Sequence, residues 1–238
     1  MVNNIRYGHY QEAWRGYERF LMDTIEKNAL KSILDVGGGA NPILKADFVE
    51  RLGLDYAILD ISESELEKAP KNYTKVVVDA ASPDFSLNQK FDLVFSKMFA
   101  EHIKNAEQFH KNMLKVLNKG GMAVHFFPTL YTLPFFVNYI VPETISDKLL
   151  DIFAPRDRHQ YAKFPAHYTW CRGPLSSLIH RYTGMGYDVV EYVGFFGHDY
   201  YERIPPVHAL HKMKTNFLIK NPNPLFTSYA YLVLRKAD

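Results

Sequence analysis

Three consecutive glycines, Gly37-Gly38-Gly39, follow the apolar run 32–36 and are succeeded by Asn41 and Pro42. A short apolar run ending in glycines predicts a buried strand and a sharp turn. Pro42 suits the first turn of a helix, where its missing N–H costs nothing. Such a turn lets the backbone approach a ligand closely, with helix-start N–H groups beside it. Two carboxylates continue the pattern. Asp60 ends the run 56–60, and a carboxylate at that strand end can accept both hydroxyls of a ribose. Asp79 ends the run 75–79 and is followed by Ala80. It can accept a hydrogen bond from an adenine amino group while the Ala80 backbone reads the ring edge. Singly, a glycine cluster is an ordinary turn and a strand-ending Asp an ordinary helix cap. Three markers at the ends of three successive runs read together as a nucleoside site. A dinucleotide fingerprint starting at Gly37 would need Gly or Ala where Pro42 stands, and the Gly-Lys-Ser/Thr of a phosphate-binding loop is missing.

The elements that must hold these residues alternate in type. Runs 32–37, 56–60, 75–79, 91–96 and 121–127 read as strands. Segment 43–53 places Leu44, Phe48, Val49 and Leu52 on one helical face. Segment 106–121 does the same with Phe109, Met113, Leu114 and Leu117, and Gly120 is expected to stop it. Strands alternating with helices imply a parallel sheet covered on both faces. Two further strands are expected over 186–194 and 228–235, joined by a Pro- and His-containing connection. A helix over 6–28 should precede the first strand, with Tyr7, Tyr10, Trp14 and Tyr17 at helical spacing. That stripe can serve as a lid over the cofactor, which makes Tyr10 a cofactor-contact candidate, or as core packing. The chain reads as one domain, 1–238, with an N-terminal helical lid over 1–30 and substrate-side insertions over 129–185 and 194–226.

Taken together, Asp35-Val36-Gly37-Gly38-Gly39, Asp60, Asp79-Ala80 and the run 91–103 resemble the class I S-adenosylmethionine-dependent methyltransferases, in their small-molecule, type 11-like branch. Glu101-His102 stands where that family carries a recurrent Glu-His pair. Segment 112–128 resembles its helix, Gly-Gly turn and fifth strand. The likeness covers about residues 30–128 and the final strand, and Asn41 stands where many members have a third glycine. It implies a Rossmann-like, seven-stranded, mostly parallel sheet with helices on both faces and an antiparallel last strand. It also implies S-adenosyl-L-methionine as cofactor and S-adenosyl-L-homocysteine as product. Gly37 and Gly39 would pass beneath the methionine part, and Asp35 would organise the loop or meet the ammonium. Asp60 would hold the ribose with Ile61 packed on adenine, Asp79 and Ala80 would read adenine, and the Ser96 carbonyl would face the methionyl amine.

Methyl transfer from a sulfonium is an in-line displacement in which the cofactor carries the reactivity and the protein supplies aim and desolvation. A hydroxyl or ammonium nucleophile must also lose a proton, and histidine suits that task at neutral pH. His102 is the first candidate base and His198, after the sixth strand, the second. Arg156, Arg158, Arg172, Arg203, Tyr200 and Tyr201 in the insertions are candidates for holding the acceptor, since Arg and Tyr at a pocket mouth can bind carboxylate, phosphate or sugar hydroxyls. The expected reaction is methylation at O or N of a small, anionic or sugar-like metabolite. A protein or RNA acceptor, or a catalytically inactive cofactor-binding partner, is the alternative.

Composition bounds the remainder. A formal charge of +2 is too balanced for an electrostatic nucleic-acid binder. A single cysteine, Cys171, leaves no internal disulfide and no multi-Cys metal site. The fourth strand ends Ser96-Lys97-Met98, not in the carboxylates of metal-dependent catechol-type enzymes, so no metal is expected. The start of the chain has no apolar leader, and run 133–141 is too short to span a bilayer. These features suggest a cytoplasmic enzyme without membrane partners.

Overall fold

The computed structural model describes residues 4–140 and 165–237. Its elements, in chain order, are β1 (Ile5–His9), α1 (Tyr10–Lys27), β2 (Ser32–Val36), α2 (Ala46–Leu52), β3 (Asp55–Asp60), α3 (Glu63–Lys68), β4 (Thr74–Val77), β5 (Phe91–Lys97), α4 (Ala106–Val116), β6 (Leu117–Pro128) and α5 (Leu133–Ile140). They continue with α6 (Ser176–Gly184), β7 (Tyr187–Phe196), α7 (Pro205–Lys220) and β8 (Tyr229–Lys236). Short 3-10 turns cover Ala100–His102 and Pro224–Phe226.

One sheet organises the chain, in the order β1-β7-β8-β6-β5-β2-β3-β4. Strands β2 to β6 run parallel, and β8 is antiparallel to both β6 and β7. The expected seven strands are present, and β1 is an eighth, parallel to β7 at the edge. Strand order reverses between β2 and β5. In open α/β sheets, the crevice beyond the carboxyl ends of the strands at such a reversal is where ligands bind. The glycine turn leaves β2 there, and the segment 97–102 leaves β5 beside it.

The N-terminal segment corrects the expectation of a helix from residue 6. Residues 5–9 pair with β7, and the helix begins at Tyr10, where a reciprocal capping box links His9 and Glu12. Tyr7 is therefore a strand residue, stacked on Phe196 at 5.5 Å. Tyr10, Ala13, Tyr17, Leu21 and Ile25 form the buried stripe of α1, so one face of this helix is a core layer lying on the sheet.

Two further boundaries differ. α4 ends at Val116, and Gly120, expected as its stop, lies within β6 at φ +70°. The connection 194–226, read as a loop, contains the 16-residue helix α7, which opens on Pro205-Pro206. Prolines at the first helical positions are a start signal. Fully buried Tyr17, Phe91, Phe95, Phe126, Tyr182, Tyr187, Tyr192 and Phe196 place much of the unusual aromatic content in the core.

Candidate active site

The glycine turn is built by backbone sterics. Gly37 has φ +77° and Gly39 φ +44°, a region that disfavours any residue with a Cβ. A Cβ on Gly37 would stand 2.3 Å from the Phe99 ring, and one on Gly39 would stand 3.2 Å from Oδ2 of Asp60. The Gly37 N–H donates to the Leu59 carbonyl at 2.7 Å, tying the turn to β3. Asp35 fixes its far end. Oδ2 accepts from the Ile43 N–H at 3.2 Å and from the Tyr56 hydroxyl at 2.6 Å. Burial raises the Asp35 carboxyl to about 6, opposed by those two donors. Of the two roles expected for Asp35, the loop-organising one matches these contacts.

Asp60 stands at the end of β3, where Oδ1 accepts from the Ser62 N–H at 2.9 Å while Oδ2 faces Gly39. Ile61, next to it, is 62% exposed, unusual for isoleucine and suited to covering a planar ring. Asp79 accepts from the Ala81 N–H at 2.8 Å. Ala80 is buried, and its carbonyl accepts from Nδ2 of Asn112 at 3.0 Å, as does the Ser82 carbonyl at 2.7 Å. Asn112 of α4 thus pins the turn 80–82. Nothing in the helical periodicity distinguished it, and a wholly buried Asn among apolar residues is the signal it did carry.

The structure places Ser96 and Tyr10 away from the roles expected of them. Ser96 is fully buried, its carbonyl accepts from the Tyr17 hydroxyl at 2.8 Å, and its Oγ bonds Nδ1 of His125 at 2.8 Å. Tyr10 packs on Gly197 beyond β7, and three strands separate β7 from β2 in the sheet. The aromatic residue of α1 that reaches the end of β5 is Trp14. It is 41% exposed, with the Lys97 ammonium 5.5 Å from its ring centre. Trp14 belongs to the stripe expected as a lid or as core packing, whereas Lys97 was given no such role from sequence.

Beyond β5, Met98 adopts φ +52°, a strained conformation for a residue with a side chain, and leads into the turn 100–102. Glu101 is buried, with no hydrogen-bond partner for Oε2, and burial raises its carboxyl to about 8. His102 is partly exposed, and its Nδ1 lies 3.0 Å from the Pro165 carbonyl. A carbonyl only accepts, so Nδ1 carries the hydrogen and Nε2 keeps the lone pair. That nitrogen is 3.8 Å from Oε1 of Glu101. The glycine turn, Asp60, Asp79-Ala80 and His102 therefore share the carboxyl end of the sheet.

The acceptor candidates are scattered. Arg156 and Arg158 lie outside the described residues. Arg172 donates to the carbonyls of Tyr168 at 2.6 Å and Cys171 at 2.9 Å and lies over the Tyr131 ring, so it holds its own loop together. Arg203 is exposed, and Tyr200 packs edge-on against Phe135. Tyr201 and His198 line a separate cavity beside α7. His198, the second candidate base, is 2% exposed there. Among the described residues, no group of three or more His, Cys, Asp or Glu could hold a metal ion.

A doubly wound sheet with a glycine turn at its switch point, a carboxylate ending β3 and another just beyond β4 defines a nucleoside-binding α/β protein. The family described as "Methyltransferase domain" matches residues 34–125. The ubiquinone biosynthesis O-methyltransferase of Pelagibacter ubique is 31% identical over 167 residues, 67% of this chain and 66% of that protein. Its counterpart from Rickettsia conorii is 26% identical over 56% of this chain and 45% of its own length. The chain thus spans less than two thirds of these relatives. Among solved structures, an S-adenosylmethionine-dependent methyltransferase from Clostridium acetobutylicum shares the fold, with a TM-score of 0.57 and 12% identity over 96% of both chains. The chain belongs to the class I S-adenosylmethionine-dependent methyltransferases. No helix of the described residues is long and apolar enough to cross a membrane.

Proposed function

We propose that this chain binds S-adenosyl-L-methionine at the glycine turn and transfers its methyl group to an oxygen of a small-molecule acceptor. The observation that carries the reading is the approach of the Asp60 carboxylate to the bare α-carbon of Gly39. It leaves a groove in which a ribose would meet a carboxylate and a backbone with no side chain in the way. Asp79 and the Ala80 turn, pinned by Asn112, would take the adenine edge, and Ile61 its face. The cofactor, when bound, supplies a methyl group activated on sulfur. The remaining work is the chain's own. Trp14 and Phe99 would shield the groove from water, and Nε2 of His102 would receive the acceptor's proton.

Oxygen is favoured over nitrogen by the likeness to O-methyltransferases acting in ubiquinone biosynthesis. A cytoplasmic enzyme acting without nucleic acid remains the setting we propose. Incubation with methyl-labelled S-adenosylmethionine and a panel of phenols and aromatic acids tests the activity. Label should move to at least one acceptor. Cofactor binding with no transfer to any acceptor would favour an inactive binding partner.

A further inference from the structure

A cavity of 220 Å³ opens between α7, the turn after β7 and the start of β8. It is distinct from the glycine turn but lies at the same end of the sheet. Its polar wall carries His198, Tyr201, His211 and Lys214, and its apolar wall includes Leu133, Leu218 and Phe226. Among the described residues, no carboxylate lines it. Asp199 and Glu202 lie nearby in sequence, and the Asp199 charge bears on Tyr10 and on Tyr229, the neighbour of Ser228 in the cavity wall.

Several observations point to an occupant. His198 is 2% exposed, and its Nδ1 has no hydrogen-bond partner, a costly state for a buried polar atom. The His198 N–H donates to Nε2 of His211 at 3.1 Å, so the second ring is fixed with its proton on Nδ1. The two rings lie 4.0 Å apart, and Tyr201 closes on both at 4.7 and 5.3 Å. The Lys214 ammonium stands 5.7 Å from the Phe226 ring, at the junction of the polar and apolar walls. Burial lowers His198 to about 3 and His211 to about 4, and the positive charge of Lys214 pushes both the same way. Both rings are therefore neutral donors or acceptors near pH 7, and the Lys214 ammonium is the charged group among the lining residues, beside ring-sized apolar space.

We infer that this cavity binds a single-ring organic acid, with its carboxylate toward His198, His211 and Lys214 and its ring against Leu133, Leu218 and Phe226. This site is separate from the methyl-transfer groove, because Gly197, which lines it, lies beyond β7, three strands from β2. Of the arginines expected to hold an anion, Arg172 and Arg203 are not among the lining residues. Lys214 takes that part, at helical spacing from His211.

Calorimetry on the full chain, with benzoate and its uncharged isostere benzamide, tests this. Benzoate should bind saturably at one site, and benzamide at least ~10-fold more weakly, as expected for losing charge-assisted hydrogen bonds. Lys214 is exposed, so Lys214→Met should fold normally and weaken benzoate by ~5–10-fold. The imidazole resonances of His198 and His211 should shift with benzoate. No saturable benzoate binding, equal binding of benzamide, or an unchanged Lys214→Met variant would each overturn the inference. S-adenosylhomocysteine titrated into the same samples reports on the proposed function separately, because the glycine turn contributes nothing to this cavity.

Discussion

The hydroxyl of Tyr17 donates to the Ser96 carbonyl at 2.8 Å and lies 3.1 Å from the Val124 carbonyl, bridging the ends of β5 and β6 from the helix that covers them. This contact ties the N-terminal helix to the strand that leads into His102. Tyr17 is wholly buried. Removing its hydroxyl alone leaves the Ser96 carbonyl short of that donor at unchanged packing. Tyr17→Phe should therefore lower unfolding stability by ~1–3 kcal/mol in urea titration. A loss below ~0.3 kcal/mol would mean that water replaces the hydroxyl.

Glu101 gives a pH signature. In the folded chain burial raises its carboxyl from 4.5 to about 8. Between those values the folded state keeps a proton that the unfolded state has released, so unfolding releases a proton and stability falls as pH rises. Glu101→Gln mimics the protonated acid and removes the dependence. The variant should match the parent below pH ~4.5 and exceed it by ~2–4 kcal/mol near pH 8. Parallel stability–pH curves would contradict the buried, protonated assignment.

His102 should serve the acceptor and not the cofactor. With Nδ1 held by Pro165, His102→Ala should keep S-adenosylhomocysteine affinity and lower kcat by ~10²–10⁴-fold. His102→Gln should recover little if proton removal is the role and much if the side chain only positions the acceptor. A near-normal kcat in His102→Ala would leave the reaction without a histidine base at this position, as an acceptor already ionised at neutral pH requires.

Much of this site was legible because its chemistry is written in backbone demands. Gly37 and Gly39 must tolerate left-handed φ, Asp60 must end β3, and Asp79 must follow β4, which stops at Val77, two residues before the end of the expected run. These requirements leave local marks. Tertiary contacts leave none. Ser96 offers a carbonyl in any strand, and nothing in sequence says that Tyr17 will take it. Tyr10 shares the helical spacing of Trp14 and Tyr17, yet a few residues along α1 carry it across three strands, away from the groove. The strand Ile5–His9 has only β7 as partner, and pairing with a strand far along the chain has no local sign. His198 looked like a loop residue because α7, which buries it, begins seven residues later and carries an apolar face that periodicity did not resolve.

The most direct test of the account is calorimetric titration of S-adenosylhomocysteine into the parent chain and Asp60→Ala. The parent should bind one equivalent without added metal. The variant, missing a charged acceptor for the ribose hydroxyls, should lose ~1.5–3 kcal/mol, or ~10–150-fold in Kd. Equal affinities would remove Asp60 from the site, and no binding by the parent chain would contradict the central claim itself.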